Sequence, residues 1–182
     1  MTNYFDQEGE VFLKLYKKTN KIIEYWETWN TNKAKAIIHW GQLGDKGQDK
    51  VIADLSIKGF RKKLTILINE KISDGFMEIP FEEQYTVAIT FKLDTWGTKQ
   101  DIDRREKIRK VLSEHLGWTG NGRCDDGDIG SGEMTLFADV IDPYIAAKTI
   151  SKEFGNKRIE DDYSITILKG DEIVEKDYKF IK

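Results

Sequence analysis

The segment Ala34-Lys35-Ala36-Ile37-Ile38-His39-Trp40-Gly41-Gln42-Leu43-Gly44-Asp45-Lys46-Gly47-Gln48 decides the reading of the fold. Ala34, Ala36, Ile38 and Trp40 fall on one face at strand spacing, while Lys33, Lys35 and His39 take the other. The strand then runs into a polar turn, in which Gly41, Gly44 and Gly47 permit tight backbone geometry. Upstream, Val11, Leu13 and Leu15 alternate with Phe12, Lys14 and Tyr16, and Ile22 to Trp29 is β-branched and aromatic, so two further strands are expected. Asn30-Thr31-Asn32 is turn chemistry between strands. Downstream, a short strand is expected over Val51 to Leu55. Ile57, Phe60, Leu64, Leu67, Ile68 and Ile72 then advance in three- and four-residue steps, which predicts an amphipathic helix closed by Gly75.

The second half has its own rhythm. Val87, Ile89, Phe91 and Leu93 alternate with Thr86, Ala88, Thr90 and Lys92, which predicts a strand. A helix is expected with Ile102, Ile108, Val111, Leu112, His115 and Leu116 on its inner stripe. The stretch Gly117 to Gly132, with six Gly and three Asp, reads as a loop holding a short strand near Arg123–Asp125. Met134, Leu136, Ala138 and Val140 alternate next. Asp142-Pro143 is an N-cap with proline at the first helical position, and Tyr163, Ile165 and Ile167 form a last strand. The order β-α-β-β-α-β predicts a ferredoxin-like sandwich. Pro80 marks the boundary, so the expected architecture is α+β in two small domains, 1–80 and 84–182.

Trp40-Gly41-Gln42-Leu43-Gly44-Asp45-Lys46-Gly47-Gln48 resembles the signature of WGR domains, Trp-Gly-Arg-(aliphatic)-Gly-x-x-Gly-Gln. Trp26, fourteen residues ahead of Trp40, and the helix ending Glu70-Lys71-Ile72-Ser73-Asp74-Gly75-Phe76 are similar to that family as well, so the resemblance spans roughly residues 10–78. It implies an antiparallel sheet with one helix. In WGR domains of poly(ADP-ribose) polymerases the motif's Trp and Arg lie at a DNA end and an interdomain contact. By resemblance, Trp40 is a stacking surface, and Lys33, Lys35, Lys46 and Lys50 are candidates to neutralise phosphates. The family Arg is Gln42 here, which is neutral and makes no charged two-pronged phosphate contact.

Charge supports the division. Residues 1–80 carry 13 basic and 11 acidic side chains, a net of +2; residues 81–182 carry 16 and 21, a net of −5. From 33 to 63 there are 8 basic and 3 acidic residues, a local +5 around the motif. On the expected open face of the second sheet, Phe137 is the one clear aromatic candidate for a partner, and no RNP motif accompanies it. Such an acidic face suits a basic or polar protein partner.

The segment Arg123 to Glu133 offers Asp126, Asp128 and Glu133 as hard oxygen ligands, but the spacing is not that of an EF-hand. Its glycines suggest a phosphate cradle, yet no Lys-Ser/Thr follows and three Asp repel an anion. A tight hairpin with Asp side chains bonded to turn amides is the expected structure. The Gly-Asp-Ile-Gly-Ser-Gly stretch also resembles one found in small bacterial proteins.

Composition closes off several classes. Only 2 Pro accompany 15 Gly, which excludes collagen-like and Pro/Gly-rich low-complexity chains. One Cys and two His leave no disulfide framework and little material for a transition-metal site, so neither metal nor cofactor is expected. No apolar run is long enough to span a membrane, and the acidic N-terminus lacks a signal core, so a cytoplasmic location is expected. There is no Gly-x-Ser-x-Gly elbow, His-Glu-x-x-His or P-loop, and Cys124 has no close base in sequence. The expected function is a non-enzymatic binding or adaptor protein. Its partner is nucleic acid, met through the WGR-like half, or another protein, as for a bacterial toxin immunity protein.

Overall fold

The structure, a computed structural model, describes residues 4–159 and 162–178. The chain divides between Ile79 and Pro80 into two units. Both are α+β; the described residues form two antiparallel sheets, of four and five strands, and three helices.

The first unit is a meander, β1 (Phe12–Lys18), β2 (Ile23–Asn32), β3 (Lys35–Gln42) and β4 (Gln48–Ala53), in the order β1-β2-β3-β4. Helix α1 (Ile57–Ser73) covers one face. Ser56 caps it, its hydroxyl accepting from the Gly59 amide at 3.0 Å. Phe60, Leu64 and Ile68, four residues apart, are fully buried against Leu13, Leu15, Trp26, Ala36 and Ile38. Each such side chain contributes about 1.5–3 kcal/mol by leaving water. Gly75, at φ +90°, then turns the chain back, and Met77 pairs with Tyr16 in β1.

Strand β4 corrects the expected Val51–Leu55. It begins at Gln48, because the register Trp40↔Gln48 starts directly after the motif turn, and Leu55 lies past its end, fully exposed.

In the second unit the chain runs β5 (Tyr85–Lys92), α2 (Lys99–Trp118), β6 (Gly122–Gly130), β7 (Glu133–Val140), α3 (Pro143–Lys157), β8 (Tyr163–Lys169) and β9 (Glu172–Glu175). The sheet order is β6-β7-β5-β8-β9. Both helices pack on one face, over Val87, Ile89, Phe91, Met134, Leu136, Ala138, Val140, Ile165 and Ile167. Thr98 and Asp101 form a reciprocal capping box at the start of α2, and Asp142 caps α3 by accepting from the Tyr144 and Ile145 amides. Asn121 is fully buried and ties the two helix junctions: its amide donates to the Asp142 carbonyl at 3.0 Å and its oxygen accepts from the Asp142 amide at 2.9 Å.

Two expectations need correction here, and one strand is added. The stretch Gly117–Gly132 is not mainly loop; α2 continues to Trp118, and Gly122–Gly130 is a nine-residue strand with an irregularity between Cys124 and Asp126. The turn to β7 is only Ser131-Gly132, both at positive φ. Ile102 is exposed, because it stands in the first turn of α2, ahead of the buried stripe Ile108–Leu112–Leu116 and about 120° around the helix from Ile108. The edge strand β9 was not anticipated, its four residues being too few to show a period.

Candidate functional site

The motif turn, residues 43–47, is held against the helix-free face of the first sheet. Tyr25 Oη donates to the Asp45 carbonyl at 3.1 Å, and His39 Nε2 lies 2.7 Å from the Lys46 carbonyl. A carbonyl only accepts, so Nε2 carries the hydrogen. The other ring nitrogen, Nδ1, is 2.7 Å from Glu27 Oε1, and Glu27 Oε2 takes the Lys14 ammonium at 3.0 Å. Tyr25, Glu27 and His39 are buried, His39 to 1% exposure. Burial, and then the Glu27 charge, push the Tyr25 and Tyr16 hydroxyls above the ordinary phenol value, so both remain donors.

His39 shares a face with Lys35, as alternation predicts, and lies buried beneath the motif turn. The arrangement also explains the glycines. Gly47 has φ +65°, and a Cβ there would stand 2.2 Å from Tyr25 Oη and 2.4 Å from the Trp40 carbonyl oxygen. A Cβ on Gly41 would stand 2.8 Å from Gly47 Cα. The signature glycines therefore let two chain segments and a phenol meet. The buried Tyr25–His39–Glu27 chain acts as a clamp on the turn, with its polar atoms committed to backbone, to one another and to Lys14.

The expected binding residues separate into groups. Trp40 is half-buried on the helix side of the sheet, with Lys50 Nζ 5.6 Å from its ring centroid. Lys46, in the turn, and exposed Gln42, opposite Glu24, stand at the same end of the sheet. Lys33 and Lys35 stand at the other end of β3, about 23 Å away at strand rise. Phe137 belongs to the second unit, half-buried on the helix-free face between Asp126 and Ala88.

Strand register assembles a feature that the sequence reading missed. Phe12 pairs with Trp29, Trp29 with Ile37, and Ile37 with Val51, so four apolar side chains form one row across all four strands. The row lies on the helix-free face. Phe12 is 72% exposed and Val51 52%, while Trp29 and Ile37 are half-buried. The usable signal was the run Ala36-Ile37-Ile38, which is apolar on both faces, as only a doubly covered strand needs to be.

Elsewhere, Cys124 is buried, and burial pushes its thiol up to about 12. Asp126 and Asp128 accept from the amides of Gly127 and Ile129 at 2.7 and 2.8 Å. Among the described residues no three His, Cys, Asp or Glu side chains are placed to hold a metal ion, and no helix is long and apolar enough to cross a membrane. Comparison with known proteins finds no matching family model, no similar curated protein and no similar solved structure.

Proposed function

We propose that this chain is a non-enzymatic docking protein whose first unit binds a partner protein through the helix-free face of its sheet. The observation that carries the reading is the row Phe12–Trp29–Ile37–Val51. A contiguous apolar row, exposed at both ends and half-buried between, on an otherwise polar face marks a protein contact. Lys14, paired with Glu27, and Lys35 flank it along β1 and β3, and Asp49 stands beside Val51, so the partner is a protein surface with an apolar strip and a polar edge of mixed charge. A toxin-neutralising immunity protein is one docking protein of this kind.

The first unit is read as a WGR-like module, on the motif, the meander and the single helix. The second is read as ferredoxin-like, since the order β6-β7-β5-β8 with both helices on one face suits that topology. Phe12→Asp with Val51→Asp tests the docking face, because both side chains are exposed and neither builds the core. Proteins retained by the wild-type chain on an affinity matrix are expected to be lost with this double variant and kept with Lys46→Glu/Lys50→Glu. Equal retention by all three would remove the reading.

A second reading has its own observation: Trp40, Lys46 and Gln42 share one end of the sheet, and the Lys50 ammonium reaches to the Trp40 ring. Nucleic acid bound there gives an affinity for blunt duplex DNA that falls steeply with salt and is lost in Lys46→Glu/Lys50→Glu. Absence of binding at low salt would discard it.

A further inference from the structure

We infer that the second unit carries a binding site for a small organic phosphate, in the cleft between α2 and the end of α3. The cleft has a volume of about 340 Å³ and is lined by Arg104, Lys107, Ile108, Val111, Lys157, Arg158 and Ile159. Positions 104, 107, 108 and 111 stand three and four residues apart, so one face of α2 supplies two cations and two apolar groups. The end of α3 supplies the rest. Arg158 adopts a left-handed conformation (φ +55°, ψ +40°), and the Ile159 amide bonds back to the Phe154 carbonyl at 2.9 Å. That turn lays Ile159 against the core and brings Lys157 and Arg158 to the rim.

The charge of this cleft runs against its surroundings. Residues 81–182 carry a net −5, yet four cations line one cleft and none of its described lining residues is acidic. Among the described residues, Glu153 lies 3.9 Å from Lys157 Nζ, and the Asp101 carboxyl feels the charge of Arg104. The helix dipole accounts for Lys157 and Arg158 at the end of α3, where it favours cations. It gives no reason for Arg104 and Lys107, which stand in the first half of α2. The Arg104 guanidinium rests 5.2 Å from the Phe91 ring centroid, which braces it in place.

The chemistry of the lining selects the ligand. Two guanidinium groups and two ammonium groups suit a doubly charged phosphate, which Arg meets with two parallel bonds. Ile108, Val111 and Ile159 offer an apolar floor to the organic body of the ester. The volume is at the lower end of ligand clefts, which run from about 300 to 1,000 Å³. The ligand class is therefore a phosphate monoester with an aromatic or alkyl body, of mononucleotide size.

Isothermal titration of the full chain tests the site with phenyl phosphate, adenosine 5′-monophosphate, adenosine and inorganic phosphate. Both esters are expected to bind below about 1 mM, with inorganic phosphate about tenfold weaker and adenosine undetected. Lys107→Glu/Lys157→Glu is expected to weaken ester binding by about tenfold or more, and Arg104→Lys several-fold, while Lys46→Glu/Lys50→Glu leaves it unchanged. Lys107 and Lys157 are exposed, so circular dichroism should show wild-type folding in those variants. Failure of both esters to bind overturns the site. So does ester binding that survives the Lys107/Lys157 reversal, or that is lost with Lys46 and Lys50. Inorganic phosphate binding as tightly as the esters overturns the apolar floor.

Discussion

Replacing Gly47 by Ala tests whether the signature glycines serve packing. At φ +65° a side chain costs about 1–2 kcal/mol through its clash with the following carbonyl. The new Cβ would then lie 2.2 Å from Tyr25 Oη and 2.4 Å from the Trp40 carbonyl oxygen. The hydroxyl can move only by leaving the Asp45 carbonyl, at about 1 kcal/mol, and the strand carbonyl cannot move without shifting β3. Overpacking of this kind costs about 1–3 kcal/mol. The expected total is about 3–5 kcal/mol, allowing for partial relaxation. Gly75→Ala is the control, since φ is +90° there but nothing lies within 4 Å of the added Cβ; it should lose only the conformational cost. Urea unfolding followed by tryptophan emission reads both, because Trp26, Trp29 and Trp40 report the first unit. With a slope of about 1–2 kcal/mol per molar urea, the midpoint should fall by about 2–3 M for Gly47→Ala and by about 1 M for Gly75→Ala. Equal losses in the two variants would show that the close approach to Tyr25 and Trp40 does not matter, and the packing account would fail.

The clamp makes a milder prediction: Tyr25→Phe removes the donor to Asp45, costs about 1 kcal/mol, and speeds hydrogen exchange of the amides of residues 43–47. Unchanged exchange there would count against the clamp. Asp101→Asn concerns α2. The Thr98 hydroxyl and amide, bonded to the Asp101 carboxylate, hold its pKa below the ordinary 3.8, so its stabilisation is present above that value and lost as pH falls through the lowered one. The variant should be less stable than wild type near neutrality and should converge with it in acid; a gap that persists below about pH 2 speaks against the capping box as its source. For Cys124, burial favours the neutral thiol, so the associated stability is complete below 9.0 and declines as pH rises toward about 12. Thiol reagents should modify the native chain only at its opening rate, and fast native labelling at neutral pH would contradict that burial.

The elements were legible where one periodicity operates alone. The stripe Phe60–Leu64–Ile68 and the alternation Val87–Ile89–Phe91 each bury one face, and the structure places them as the spacing predicts. Reading failed at β6, where Gly122, Asp125, Asp126, Gly127, Asp128 and Gly130 all disfavour a strand. The strand forms because β7 supplies a ladder partner for nearly every residue, and buried Cys124 and half-buried Ile129 anchor it to the core at each end. Local chemistry still acts inside it. Asp126 and Asp128 bond their neighbours' amides as they would in a turn, yet the tertiary ladder decides the conformation.

The site divides in the same way. Gly41 and Gly47 were visible as turn residues, because positive φ is a local demand. What they make room for was not, since Tyr25 is sixteen residues upstream of Gly41 and reaches the turn only through the β2–β3 register. The apolar row is a further step from the sequence. Phe12, Trp29, Ile37 and Val51 sit on four strands at unrelated spacings, and each alone is an ordinary surface hydrophobe. Only pairing makes them neighbours. Register also separates Lys33 and Lys35 from Lys46, with Lys50 between them opposite Ile38, so the local +5 that seemed one basic patch is spread along the sheet. A shift of one residue in the β2–β3 pairing would carry Ile37 and His39 to the helix side while Glu27 and Trp29 stayed on the other face. The buried Glu27–His39 pair stands in the row of residues beside Trp29–Ile37, and its loss on such a slip opposes the shift. The clamp beneath the motif turn thus helps to fix the register on which the neighbouring docking row depends.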